Sequence, residues 1–157
     1  MGQKQDSPGV YIPPPLLYVL IFLLAIFLQN KFAIEDRIFH FGVTKILGVL
    51  LVICSLYFLV TSLSIFFKTK NTLIPFKPAS SLQTNGVFHI SRNPMYVGLA
   101  IMYLGITCLI GNWWNVLLFP ILIFIVQETI IKKEEKYLER AFKDEFSKYK
   151  TAVRRWI

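Results

Sequence analysis

The order of apolar and polar positions divides the chain into three long uncharged runs and a patterned tail. No charged side chain occurs from Val10 to Asn30, a stretch of 21 residues, or from Ile46 to Phe67, a stretch of 22. The run from Met95 to Ile131 covers 37 residues and carries one charge, Glu128. A helix needs roughly 20 apolar residues to cross a hydrocarbon core about 30 Å thick. The first two runs therefore predict single spans at about 15–29 and 44–67. The third is too long for one span, and Gly111-Asn112-Trp113-Trp114-Asn115 interrupts it with turn formers beside two interfacial aromatics. It predicts a hairpin of two short helices, about 95–110 and 114–131, with Pro120 accommodated as a kink in the second.

Past Ile131 the pattern changes. Glu134, Leu138, Phe142, Phe146, Tyr149, Val153 and Trp156 recur every three or four residues, while the cations fall largely on other faces. This predicts a basic amphipathic helix lying on the headgroups, with a break near Lys143-Asp144 compatible with the spacing. Near the start, Pro13-Pro14-Pro15 stiffens the chain before the first span, and residues 1–9 are polar and expected to fray. Lys31–Lys45 reads as a short mixed-charge loop. The expected fold is an all-α polytopic membrane protein of about four transmembrane helices, forming one domain over residues 1–157. Its cytoplasmic loop is 68–94 and its amphipathic interfacial tail 132–157.

Composition agrees with that reading. With 55% hydrophobic residues, 17% charged residues and mean hydropathy +0.55, the chain is neither a soluble globular domain, a disulfide-stapled secreted domain nor a disordered chain. The net charge of +8 raises the question of nucleic acid. Its cations flank the apolar runs, however, and no basic soluble domain remains once the spans are set aside, so no nucleic-acid partner is expected. Placing Lys31, Arg37 and Lys45 outside puts the other fourteen Lys and Arg inside, together with both termini. The expected location is integral to the cell membrane of a prokaryote, with lipid as the neighbour. Cys54 and Cys108 lie within apolar runs without metal-ligand spacing, so no metal site is expected. The first run has no small-residue cleavage site, which favours a retained span over a removed signal peptide.

Chemistry is best placed in the 68–94 loop. It is too long for a plain connection, and its mixture of Pro75, Pro78 and Gly86 with apolar residues such as Leu73, Phe76, Val87 and Ile90 argues for an ordered loop folded on the membrane face. It delivers Ser91-Arg92-Asn93-Pro94-Met95-Tyr96 to a helix start, where free N–H groups suit a carboxylate or phosphate. Each candidate also has a plain structural reading. Arg92 and Tyr96 suit an interfacial belt, and Asn93-Pro94 suits an N-cap followed by a first-turn proline. Glu134 and Glu135 suit a helix dipole, and Glu128 near the end of its span suits snorkelling to the interface. His40 and His89 have no partner spacing and read as interface residues. Gly98 and Gly105, seven residues apart, suit close helix packing.

The combination carries more than its parts. Leu82-Gln83-Thr84-Asn85-Gly86-Val87-Phe88, then Ser91-Arg92-Asn93-Pro94-Met95-Tyr96-Val97-Gly98, then Glu134-Glu135-Lys136-Tyr137-Leu138 with Phe142 and Tyr149 occur in this order. This resembles the isoprenylcysteine carboxyl methyltransferase family and the related phospholipid N-methyltransferases, over about residues 70–157. The resemblance implies a membrane enzyme that uses S-adenosylmethionine. It assigns the cofactor to Ser80, Ser81, Leu82, Gln83, Phe88, Asn93, Pro94, Met95, Tyr96 and Glu134. Phe88 stands where the family often has Tyr, and Asn93 where many members have His. Ile130 stands where eukaryotic carboxyl methyltransferases carry an Arg that meets the substrate carboxylate.

The physical logic fits such a reaction. Methyl transfer from a sulfonium is an in-line displacement that needs alignment and exclusion of water more than covalent help. A lipophilic or small amphiphilic acceptor would arrive from the bilayer and the donor from the cytosol, with Glu134 pairing with the donor's ammonium. Arg92, Asn93 and Glu128 are the candidates for a catalytic role, Glu128 as an attractor of an amine-bearing acceptor. Two other readings stand beside this one. Sterol-type reductases share a similar Arg-x-Pro-x-Tyr and Glu-Glu arrangement, which would make the ligand a nicotinamide nucleotide. A non-enzymatic membrane scaffold is the other.

Overall fold

A computed structural model of the protein describes residues 9–10, 12–69 and 81–157, and these are helical without any strand. Helix α1 runs Pro14–Lys31, a 3-10 turn covers Arg37–His40, and α2 runs Gly42–Lys68. A second 3-10 turn, Gly86–His89, precedes α3 (Pro94–Ile110) and α4 (Trp113–Val126). A π-turn at Gln127–Ile131 carries α4 without interruption into α5 (Lys132–Ala152). Helices α1 and α2 and the run beginning at Trp113 are long and apolar enough to cross a membrane. Helix α3 is apolar but has 17 residues, about 25 Å at 1.5 Å each, the short end of what crosses.

Large apolar side chains cover the outside: Leu20 and Phe27 on α1, Ile46, Leu50 and Ile53 on α2, Ile121 and Phe124 on α4. In water such a surface would aggregate; in hydrocarbon it is the favourable one. Polar atoms turn inward instead. The Tyr103 hydroxyl donates to Asn115 Oδ1 (2.9 Å) between α3 and α4, inside an aromatic cluster of Phe22, Tyr103 and Phe119. The hairpin tip is built as its residues require. Gly111 adopts φ +81°, and a Cβ there would lie 2.9 Å from Phe39. The Asn112 carbonyl oxygen of the side chain then accepts from the backbone N–H groups of Trp114 (2.9 Å) and Asn115 (3.3 Å), capping α4.

Helices α2 and α3 form the closest interface because glycines let the backbones approach. A Cβ on Gly105 would lie 3.0 Å from the Val52 backbone nitrogen and 3.1 Å from the Gly48 carbonyl, and one on Gly98 would meet Leu59 at 2.9 Å. The close-packing expectation for Gly98 and Gly105 is met, and Gly48 joins them. Helix α1 packs along α4 and against α3, burying Tyr18 in one cluster with Leu122 and Val126; Ala25 is buried as well.

Helix α5 is amphipathic and breaks at Lys143, whose φ is 41°. The apolar face of the tail beyond this break packs within the protein. Phe146, Tyr149 and Val153 are buried against Phe58, Val87, Phe88 and Val97. The kink at Lys143 turns the second half of α5 back over the 3-10 turn, where the Tyr149 hydroxyl donates to the Phe88 carbonyl (2.6 Å). Among the described residues, then, the loop expected at 68–94 is ordered over 81–93.

Close packing at Gly105 has a measurable consequence. Gly105→Val should destabilise the detergent-solubilised protein by about 1–3 kcal/mol, the usual cost of overpacking. Gly42→Ala, which meets nothing within 4 Å, should leave the melting temperature unchanged or raise it slightly. Thermal unfolding of the two variants side by side checks this.

Candidate active site

The site is built where the start of α3 meets the start of α5. Pro94 opens α3, a position that needs no N–H and favours its fixed φ. Asn93 occupies the capping position but makes no side-chain cap. The N-cap reading of Asn93 is therefore corrected: its Nδ2 donates to the Arg155 carbonyl (2.9 Å). The cause is the extended stretch after α5, which folds back over this corner and presents its own carbonyls. Ser91 Oγ donates to the same carbonyl (3.1 Å) and accepts from the Asn93 N–H (3.0 Å), while the Arg92 N–H donates to the Arg154 carbonyl (3.0 Å).

Arg92 is no snorkelling residue. Its side chain is 7% exposed, and its guanidinium meets Glu135 Oε1 at 2.9 Å and the Lys150 carbonyl at 3.2 Å. From the other side Arg155 grips the same carboxylate through Nε (3.0 Å to Oε1) and Nη2 (2.6 Å to Oε2). Two guanidinium groups thus neutralise Glu135, and its carboxylate raises the Arg155 pKa further. Buried carboxylates are tolerated when paired in this way.

Glu134, one residue earlier, has no such partner. Its Oε1 accepts from the Tyr96 hydroxyl (2.7 Å), and no cation among the described residues pairs with it. Burial raises its carboxyl pKa to about 7; the Tyr96 hydrogen bond opposes that rise and the charge of Glu135 adds to it. The helix-dipole reading of both glutamates is corrected as well. Since α4, the π-turn and α5 form one continuous helix, residues 132–135 are not at a free N-terminus. Around the pair, Tyr18 of α1 donates a long hydrogen bond to the Tyr96 carbonyl (3.4 Å), and Ile130 and Ile131 belong to the same buried cluster as Tyr18 and Tyr96.

The other residues singled out in the sequence fall in two places. Tyr96 and Glu134 meet directly, beside buried Pro94 and half-buried Met95. Phe88 is buried, and Leu82 packs with it, in the cluster formed with the second half of α5. Gln83 Nε2 donates to Ser81 Oγ (2.8 Å), and Ser80 lies outside the described residues. Glu128 is paired with Lys132 (2.6 Å) one turn on, and His40 with Asp36 (3.2 Å); His89 is exposed. Sequence reasoning missed Arg155, which reads as one more cation of a basic tail, and Tyr18, which reads as one aromatic of an apolar run. It also missed Gln127, whose Oε1 accepts from the Trp156 indole (3.1 Å).

The phospholipid methyltransferase profile matches residues 43–145, which include α2, α3, α4 and both glutamates. The chain belongs to the phospholipid methyltransferase family. Two relatives are similar to parts of it. The chain is 36% identical over 72 residues to a protein-S-isoprenylcysteine O-methyltransferase of Schizosaccharomyces pombe, covering 46% of this chain but 30% of that enzyme. It is 39% identical over 66 residues to an uncharacterized protein of Haemophilus influenzae, covering 40% of this chain and all of that one. No solved structure matches the chain. Membership in the phospholipid methyltransferase family, with a partial likeness to a second membrane methyltransferase, supports a membrane methyltransferase over the reductase and scaffold readings. Tyr18 and Arg155 lie outside the residues matched by the phospholipid methyltransferase profile.

The unpaired carboxylate makes a signed prediction about stability. The Glu134 pKa is raised from 4.5 to about 7 on folding, so the folded state prefers it protonated. Its contribution is fully present below the unfolded value and is lost as pH rises through 7. Glu134→Gln, which mimics the protonated form, should match the parent near pH 4.5 and exceed it in stability at pH 8. The gain should be no more than about 3.5 kcal/mol, one pKa unit being about 1.4 kcal/mol. Melting temperatures of parent and variant across this range check the sign.

Proposed function

We propose that the protein transfers a methyl group from S-adenosylmethionine to a lipophilic or amphiphilic acceptor at the cytoplasmic face of the membrane. The observation that carries this reading is Glu134, a buried carboxylate held by Tyr96 with no cation from the described residues. A buried charge without a counter-charge is costly, and a cationic ligand would relieve that cost. S-adenosylmethionine when bound supplies an activated methyl on a sulfonium, together with an ammonium that suits Glu134.

The chain's own residues would bind and exclude. Glu134 would hold the ammonium through a charge-assisted hydrogen bond, with Tyr96 fixing the carboxylate's orientation. Pro94 and Met95 would contribute the adjoining wall, and the segment from Ser80 to Gln83 with Phe88 the remaining cofactor contacts. Arg92 and Asn93, both committed to protein partners, would keep the start of α3 in place. Glu128 is neutralised by Lys132, which weakens its reading as an attractor of cations. Ile130 and Tyr18 lie in the buried apolar cluster with Tyr96, and Ile130 supplies no cation for an acceptor carboxylate, which favours a lipophilic group. The excess of cations in the 68–94 loop and tail supports a cytoplasmic site.

Binding tests this directly. Calorimetry on detergent-solubilised protein should detect S-adenosylmethionine or S-adenosylhomocysteine in the roughly 1 μM–1 mM range usual for enzyme substrates. Glu134→Gln should weaken binding about tenfold or more, since loss of a hydrogen bond to a charged group costs about 1.5–3 kcal/mol. Tyr96→Phe should reduce affinity or turnover in a protein that remains folded. Parent protein that binds neither compound would overturn the reading.

A further inference from the structure

Adjacent glutamates on one helical turn have opposite surroundings, and this asymmetry calls for an explanation beyond methyl-donor binding. Glu135 is 7% exposed and holds two guanidinium groups, with Arg92 at 2.9 Å and Arg155 at 2.6 Å. Glu134 meets a tyrosine hydroxyl and no cation among the described residues. Successive residues on a helix point about 100° apart, so the two carboxylates leave the same turn in different directions while each remains within the other's electrostatic reach.

One cation would suffice to neutralise Glu135, yet it has two. Both are fixed by further bonds. The Arg92 N–H and Nη1 donate to the carbonyls of Arg154 (3.0 Å) and Lys150 (3.2 Å), and the Arg155 carbonyl accepts from Ser91 and Asn93. Without Glu135, the same corner would hold two unpaired guanidinium groups, that of Arg92 buried and that of Arg155 partly exposed, and one free carboxylate, Glu134. The attraction would be strongest toward Arg92, the less solvated of the two.

We propose that Glu135 is a positioning residue that sequesters Arg92 and Arg155, so that Glu134 stays free of protein cations and open to a cationic ligand. The inference rests on the reading of Glu134 as a ligand carboxylate. It adds a role for Glu135, and for Arg155, which lies beyond the residues shared with the family profile. The clamp also ties the start of α3 to α5, and so fixes the 2.7 Å approach of Tyr96 to Glu134.

The test reads Glu134 itself, with no ligand present. Infrared spectroscopy of the solubilised protein should show a protonated-carboxyl band that titrates with pH and is absent in Glu134→Gln. The groups facing Glu134 in the described structure are Tyr96 from α3, Tyr18 beyond it from α1, and Glu135 on α5 with Arg92 and Arg155 behind it. In Glu135→Gln, a neighbouring negative charge is lost and two cations are released, so the midpoint should fall by about 1–3 pH units. S-adenosylhomocysteine binding should weaken about tenfold or more. Glu135→Asp should restore part of both, and adding Arg155→Gln to Glu135→Gln should move the midpoint back toward the parent value. An unchanged midpoint in a folded Glu135→Gln protein, or a variant that loses melting temperature alone, would overturn the proposal. If the variants show the titration shifts but the parent binds no S-adenosylhomocysteine, the donor assignment is refuted and the sequestering role stands.

Discussion

Burying charge is the constraint around which this corner of the protein is organised. A carboxylate withdrawn from water costs several kcal/mol unless a counter-charge and hydrogen bonds compensate it. At Glu135 the compensation is complete and comes from Arg92, just before α3, and from the stretch that follows α5. At Glu134 it is partial, a single tyrosine hydroxyl. The first arrangement holds elements together; the second leaves a local deficit that a ligand can fill. Sites that bind tightly charged groups are commonly built this way, at some expense to the stability of the empty protein.

The helices that carry these residues follow from the bilayer. Every backbone polar group in hydrocarbon must be satisfied within the segment, so the apolar runs become helices, and polar side chains inside them find partners, as Tyr103 does with Asn115. Glycines at 48, 98 and 105 set the closeness of α2 to α3. The π-turn at Gln127–Ile131 joins the last span to α5 without a gap, and such turns often mark functional positions in helices. Here the turn itself contributes Ile130 and Ile131 to the buried apolar cluster and leads directly to the adjacent glutamates, so the span and the site share one continuous helix.

Much of this was legible in the sequence. Charge-free runs located the helices, Gly111-Asn112 located the hairpin tip, and the order of the Arg-Asn-Pro-Met-Tyr and Glu-Glu blocks pointed to the family that the profile shows. The three-and-four spacing of the tail found its apolar face and was compatible with a break near Lys143-Asp144, which the structure has at Lys143. What the spacing could not say is what that face covers. Phe146 and Tyr149 look equally suited to headgroups or to protein, and only the fold shows Phe88 beneath them. The division of labour between Glu134 and Glu135 was equally hidden, because it depends on Arg155, some twenty residues on, brought back by a chain reversal that periodicity does not encode. Asn93 misled for a related reason: its position suits a cap, but an available carbonyl from Arg155 took its side chain instead.

The central claim is that Glu134 is held unpaired to receive a cation on the methyl donor. A ligand-side comparison tests it most directly: calorimetric affinities of S-adenosylhomocysteine and of its analogue lacking the amino group, measured on the parent and on Glu134→Gln. If the ammonium meets Glu134, removing the amino group should cost the parent about tenfold or more, as expected for a charge-assisted bond of about 1.5–3 kcal/mol. The same change should cost the variant little, so that the two losses are not additive. Equal penalties in parent and variant would place the amino group elsewhere and contradict the account.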